Sequence, residues 1–260
     1  MKVLICPNRD AAINRAADVI SAHVAARPKA VLGLATGGTM LPLYQRLVDL
    51  HRNGCLSFAE VTTFNLDEYV GIAPEHACSY HSYMSEALFS QIDIDETRTH
   101  LPHGKPECVN TEANEYEELI SAVGGITLQL LGIGQNGHIG FNEPTSSLGS
   151  RTRVKTLTEN TRNANRQYFS ADEETPRYAI TMGIGTILDA QKCLLLATGV
   201  EKAQAVADMV EGPLSAICPA SALQLHPHTT VILDVAASSK LRLTDYYHHV
   251  HPNGEATRFD

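Results

Sequence analysis

Short apolar runs alternate with longer amphipathic segments along almost the whole chain, and that alternation suits a parallel sheet covered by helices better than any other arrangement. Runs at 3–6, 30–35, 61–65, 126–132, 178–182, 193–197 and 230–234 have the length and composition of buried strands. Between them, segments 11–26, 41–52, 80–91, 110–123 and 201–211 read as helices, with Ile13, Ala16, Ala17, Ile20 and Val24 setting the helical spacing in the first. The fold class this predicts is α/β, an open and mostly parallel sheet flanked by helices. No internal repeat, low-complexity tract or Pro/Ser linker interrupts the pattern, so residues 1–260 read as a single domain. At this size roughly 70–75% of the unfolded chain's surface can be buried, enough for a core without staples.

Composition narrows the partners. Lys and Arg number 20 against 29 Asp and Glu, a formal net charge of -9, which argues against a nucleic-acid partner or an acidic membrane surface. A local pocket can still oppose that sign and accept a small anion. The six cysteines, Cys6, Cys55, Cys78, Cys108, Cys193 and Cys218, form no C-x-x-C pair and read as thiols of a reducing compartment. The apolar run near Met1 is shorter than a signal-peptide core and no 18-residue apolar stretch occurs, so the expected location is cytoplasmic. His248, His249 and His251 invite a metal reading, but no carboxylate or cysteine at ligand spacing supports them, and an exposed tail is expected.

In open parallel sheets ligands bind beyond the carboxyl ends of the strands, and three such ends carry chemistry. The first is Leu34-Ala35-Thr36-Gly37-Gly38-Thr39, a strand entering a glycine turn before a helix. Gly37 and Gly38 leave the backbone open to a ligand, Thr39 adds a hydroxyl, and the amides opening a helix favour an anion. A glycine turn that merely links strand to helix is the plainer alternative. The second end is Phe64-Asn65-Leu66-Asp67-Glu68-Tyr69, where either acidic side chain could act as a general base or simply cap a loop. The third is Gly132-Ile133-Gly134-Gln135-Asn136-Gly137-His138-Ile139-Gly140-Phe141-Asn142-Glu143-Pro144. Its G-x-G-x-x-G suggests a dinucleotide site, yet Gly140 and Pro144 interrupt the long helix that such a site requires. What remains is a turn presenting Asn136, His138 and Glu143 together, suited to proton transfer by an imidazole held in one tautomer.

Together these three motifs, with Ser146-Ser147-Leu148-Gly149-Ser150-Arg151-Thr152-Arg153-Val154-Lys155-Thr156-Leu157-Thr158 and Leu223-Gln224-Leu225-His226-Pro227, resemble the glucosamine-6-phosphate deaminase family over nearly the whole chain. The Gly-Asn-Gly-His-Ile-Gly-Phe-Asn-Glu-Pro stretch is specific, whereas the Thr-Gly-Gly-Thr turn is shared with 6-phosphogluconolactonases. The resemblance implies a modified Rossmann-like sheet and conversion of glucosamine 6-phosphate and water to fructose 6-phosphate and ammonium, with no metal or organic cofactor. It implies that His138 moves the ring-opening proton, that Asn136 and Glu143 orient and polarise it, and that Asp67 carries a proton from C2 to C1. It places the phosphate on Gly37, Gly38 and Thr39 with Lys202, and Gly137 beside the substrate. Some members are hexamers activated by N-acetylglucosamine 6-phosphate, and Ser146, Arg153, Lys155 and Thr156 match that second site, so a homo-oligomer is expected. The C-terminal tyrosine of that pocket falls among Tyr246, Tyr247 and His248 without a unique choice.

Two departures stand out. Asn136 occupies a position where many members carry Asp, so charge compensation for His138 falls to Glu143. At Asn165-Arg166-Gln167 the family's phosphate-binding arginine is replaced by Gln167, and Arg166, about 100° away on a helix, is the substitute expected. A lactonase and a non-catalytic sugar-phosphate sensor are the alternatives. Regulators of that kind place a helix-turn-helix ahead of the first strand, and that strand here begins at residue 3.

Overall fold

The computed structural model describes residues 1–255. Seven strands pair in parallel: β1 (Lys2–Cys6), β2 (Val31–Leu34), β3 (Thr62–Asn65), β5 (Thr99–His100), β6 (Leu128–Leu131), β9 (Cys193–Ala197) and β10 (Thr229–Asp234), in the order β1-β10-β9-β6-β2-β3-β5. The long helices α1 (Arg9–Ala26), α2 (Leu41–Arg52), α3 (Tyr80–Ala87) and α4 (Val109–Ala122) alternate with them, followed by α5 (Glu159–Asn165), α6 (Ile184–Leu188), α7 (Ala203–Val210) and α8 (Thr244–Val250). Among the described residues none of these helices is long and apolar enough to cross a membrane. The α/β reading holds.

The strand order contains one reversal. From β2 the chain steps to β3 and β5 in one direction, and from β6 it steps to β9 and β10 in the other, although β2 and β6 are neighbours. Right-handed crossovers then put α1, α2 and α3 on one face and α4, α6 and α7 on the other, which opens a crevice at the carboxyl ends of β2 and β6. The glycine turn at 35–39 follows β2 and the histidine turn at 132–144 follows β6. Fold alone brings them together.

Three expectations need correction. Asp67 and Glu68 lie not in a loop but in a strand, β4 (Asp67–Tyr69), and the run near 178–182 lies outside the parallel sheet. It forms β8 (Tyr178–Thr181), the centre of a separate antiparallel sheet with β4 and β7 (Arg153–Thr156). The cause is at Leu66. Its amide still bonds to Leu34 of β2 at 3.0 Å, while its carbonyl accepts from Met182 at 2.7 Å, so a single extended segment leaves one sheet and enters the other. The two-residue β5 is too short to give a sequence signal. The C-terminal histidines are also not a loose tail: His248 and His249 are exposed on α8, whereas His251 is buried and α8 packs on β1.

A tight backbone approach fixes the small sheet to its surroundings. A Cβ on Gly183, just after β8, would fall 2.0 Å from the Ser150 carbonyl oxygen and 2.2 Å from its carbon. Neither can rotate away. Gly183→Ala is therefore expected to lose about 3 kcal/mol of unfolding free energy, read by urea denaturation.

Candidate active site

The crevice is a cleft of ≈ 1250 Å³ lined by residues from all three motifs. Gly37, Gly38 and Thr39 border it from the β2 side, Asn136 and His138 from the β6 side, Asp67 from β4, and Lys202 from the turn after β9. Glu143 stands behind this surface, 2% exposed. Gly37 has φ +107°, a conformation that glycine adopts freely, and its carbonyl accepts from the Met40 amide at 2.9 Å as the chain turns into α2.

His138 is held by a directional relay. Its Nδ1 lies 2.7 Å from Asn136 Oδ1, and Asn136 Nδ2 donates to Glu143 Oε2 at 2.8 Å. Because a carboxylate only accepts, the amide nitrogen must face Glu143 and its oxygen must face the imidazole. Nδ1 therefore carries the proton and Nε2 keeps a lone pair. Burial lowers the pKa of His138, against a raising effect of Glu143, so the ring rests neutral. Burial would raise that of Glu143, but Thr161, His138, the Thr158 amide and Asn136 outweigh it and hold the carboxyl below its usual range. Gly134 makes room for the ring, since a Cβ there would sit 2.2 Å from His138 Cε1.

Asp67 is 5% exposed, and its carboxyl is pushed up to about 8 by burial and then by the charge of Glu68; bonds from the Phe141 amide and Thr181 only partly offset these. Among the described residues no cation offsets that balance. Glu68 itself faces away, accepting from the Tyr69 amide at 2.8 Å, from Tyr80 at 2.8 Å and His81 at 3.2 Å at the start of α3, and lying 3.0 Å from His81 Nδ1. Of the two acids, Glu68 is committed to a helix start and Asp67 faces the cleft. Gly140 permits the approach, because a Cβ there would lie 3.3 Å from Asp67 Oδ2.

Other expected residues fall elsewhere. Arg166 does not line the cleft; its guanidinium donates to the carbonyls of Phe169, Ser170 and Ala171 at 3.0, 2.7 and 2.8 Å, while Gln167 and Tyr168 face the cleft instead. Gly137 is likewise turned from it, against Cys218, where a Cβ would meet Sγ at 2.7 Å. On β7, Arg153 and Lys155 share one face and Thr156 takes the other. Burial lowers the pKa of both cations, with Arg153 adding to the effect on Lys155. Ser146 is buried nearby in sequence, its Oγ without a hydrogen-bond partner among the described residues. No three His, Cys, Asp or Glu side chains among the described residues group as a metal would need.

Three contributors escaped the sequence reading. Thr158 donates to Glu143 through both its amide and hydroxyl at 3.1 Å, Thr181 helps hold Asp67, and Arg9 lines the cleft from the first position of α1. Thr181 ends β8 and Arg9 opens the helix that follows β1, so the rule that located the other motifs could have found them. Tyr168 carried no such signal.

Residues 8–232 match the family described as glucosamine-6-phosphate isomerases/6-phosphogluconolactonase. A glucosamine-6-phosphate deaminase of Hahella chejuensis is 54% identical over 250 residues, 96% of this chain and 95% of that protein. A solved structure described as a monomeric glucosamine-6-phosphate deaminase superposes with a TM-score of 0.90 at 45% identity, covering 92% of this chain and 100% of that one. The 6-phosphogluconolactonase of Leishmania guyanensis, at 21% identity and a TM-score of 0.71 over 91% and 97% of the two chains, shares the fold.

The raised carboxyl has a consequence for stability. Asp67 binds its proton more tightly in the folded than in the unfolded chain, so its stabilising contribution is complete below about pH 4 and is lost as pH rises through about 8. Asp67→Asn has no such titration. Thermal melts are expected to show the variant more stable than wild type by about 4 °C at pH 9, with the gap closing toward pH 4.

Proposed function

The chain belongs to the family of glucosamine-6-phosphate isomerases and 6-phosphogluconolactonases, and we propose that within it the chain converts glucosamine 6-phosphate and water to fructose 6-phosphate and ammonium. The observation that carries this reading is Asp67, a buried carboxyl facing the cleft, raised by burial and by Glu68 with no cation among the described residues to offset them. The ammonium of an amino sugar supplies that balance, and the uncharged ring of a lactone does not.

The residue types agree with the steps that the resemblance implies. The phosphate rests on the amides of Gly37, Gly38 and Thr39 with Lys202 as cation. Nε2 of His138 takes the anomeric hydroxyl proton and returns it to the ring oxygen, opening the pyranose. While the imidazole is charged, Glu143 compensates it across 3.8 Å and through the Asn136 amide, so Asn at this position orients and Glu143 supplies the charge. Asp67 then removes the C2 proton of the open-chain amino sugar while the C1 oxygen takes up the proton that the ammonium gives up, giving an enolamine, and Asp67 delivers its proton to C1. The resulting C2 iminium takes up water and releases ammonium. A hydroxyl proton suits an imidazole and a proton beside a carbonyl suits a carboxylate, which is the division of labour assigned here.

A second part of the proposal concerns regulation. Arg153 and Lys155, on one face of β7, with the buried Ser146 hydroxyl, form an anion site for N-acetylglucosamine 6-phosphate, with Thr156 at its margin. The exposed apolar side chains Leu214 and Ile217 flank Ala216, whose carbonyl accepts from the Thr145 amide, and they support a homo-oligomer, with the hexamer of some relatives as the form proposed. The location proposed is the cytoplasm, in keeping with six unpaired thiols.

Ammonium release from glucosamine 6-phosphate tests the assignment. Wild type is expected to release it and Asp67→Asn to lose at least about 100-fold in kcat; a lactonase or a sensor releases none, and an active Asp67→Asn removes the assigned base. Glu143→Gln is expected to lose about 100-fold on the closed-ring substrate, and unchanged turnover would end its role in charge compensation. Rate curves recorded with and without N-acetylglucosamine 6-phosphate, alongside sedimentation, are expected to show activation and a mass of several chains. Hyperbolic curves unmoved by that ligand remove the activator, and a single-chain mass removes the oligomer.

A further inference from the structure

The cations of the cleft are few. Among the described residues only Arg9 and Lys202 line it, and Arg166 is committed to backbone carbonyls. The side chain that does stand over the glycine turn is uncharged. Tyr168 Oη lies 3.6 Å from the point that a Cβ on Gly38 would occupy, and no other described atom outside the adjoining residues comes within 4 Å of that point. The missing Cβ thus leaves a gap with the turn's backbone on one side and a phenol on the other.

Two phenols flank this turn, and they differ. Tyr83 donates to the Gly37 carbonyl at 2.9 Å and so supports the turn itself. Tyr168 Oη has no hydrogen-bond partner among the described residues, and the side chain is 54% exposed. Its position comes from the main chain: Cys78 Sγ–H donates to the Tyr168 carbonyl at 2.9 Å, and Arg166 ties down the residues that follow. With its main chain held in this way and its hydroxyl free of protein partners among the described residues, the phenol is open to a ligand contact.

We infer that Tyr168 is a phosphate-binding residue, its hydroxyl donating to an oxygen of a phosphate held on the Gly37-Gly38-Thr39 turn. This rests on the reading of that turn as the phosphate site. The phenol supplies direction without charge, so Lys202 remains the principal cation and the Tyr168 contact is only weakly sensitive to salt.

The test is calorimetric binding of fructose 6-phosphate and of inorganic phosphate to wild type and Tyr168→Phe, together with steady-state kinetics on glucosamine 6-phosphate. Removing one hydrogen bond to a charged group is expected to weaken both ligands about 10-fold and to raise KM by a similar factor, with kcat within about two-fold. Gln167→Arg in the Tyr168→Phe background is expected to restore affinity and steepen its salt dependence, which a merely structural role for the ring would not produce. Unchanged affinity in Tyr168→Phe overturns the inference, as does a loss of kcat with affinity kept. A wild type that binds both ligands but releases no ammonium would sink the deaminase reading while leaving Tyr168 to be judged by binding alone.

Discussion

The reversal of strand direction between β2 and β6 is the constraint from which the site follows. Two adjacent parallel strands whose continuations leave toward opposite edges cannot have their outgoing loops covered by the same helix. A crevice must remain, and both glycine-bearing turns open into it. The third participant arrives by a different route. Leu66 bonds to both sheets, so β3 continues as β4 across the mouth of the crevice and carries Asp67 with it. A parallel sheet alone would have released the chain into a loop there, and a loop would not have kept a carboxyl dry.

Dryness and charge set Asp67 and His138 apart. Asp67 has hydrogen bonds but no cation among the described residues, so burial and Glu68 favour its neutral form, whereas a neighbouring ammonium would favour the charged one. The imidazole has the opposite arrangement, resting neutral beside a carboxylate that hydrogen bonds keep ionised. Each group is poised to change charge only when substrate is present. The cost falls on stability, which agrees with the general opposition between a strained site and a relaxed fold.

The sequence made much of this legible because chemistry in an open parallel sheet concentrates just beyond the strands. Apolar runs located six of the seven strands of the large sheet, and the turns after β2 and β6 supplied the glycine turn and the His138 relay that line the cleft. Two things were not legible. An antiparallel strand and a parallel one have the same apolar signature when both are buried, so β8 was assigned to the wrong sheet and Asp67 to a loop. The direction of a side chain on a short irregular turn is also hidden, because Arg166 and Gln167 sit where α5 gives way to a tighter turn and ideal helical angles no longer apply. Which of the two reaches the cleft was decided by carbonyls that only the folded chain brings near Arg166.

The small sheet does more than position one acid. Thr181 pairs with Asp67 on one side and with Arg153 on the other, so the three side chains form a row on a single face. The 139–143 turn lies along that row: the Phe141 amide donates to Thr181 Oγ1 at 3.0 Å, and Arg153 donates to Asn142 Oδ1 at 2.9 Å. Asn142 in turn anchors the turn by donating to the carbonyls of Ile139 and Met182 at 2.9 and 2.8 Å, immediately before Glu143. One end of the row is therefore the candidate general base, and the other is a cation that the regulatory reading assigns to a second anion site. An anion drawing Arg153 away from Asn142 would act on the same turn that carries His138 and Glu143. Asp67, Thr181, Arg153 and Asn142 thus tie the small sheet to the turn that carries His138 and Glu143.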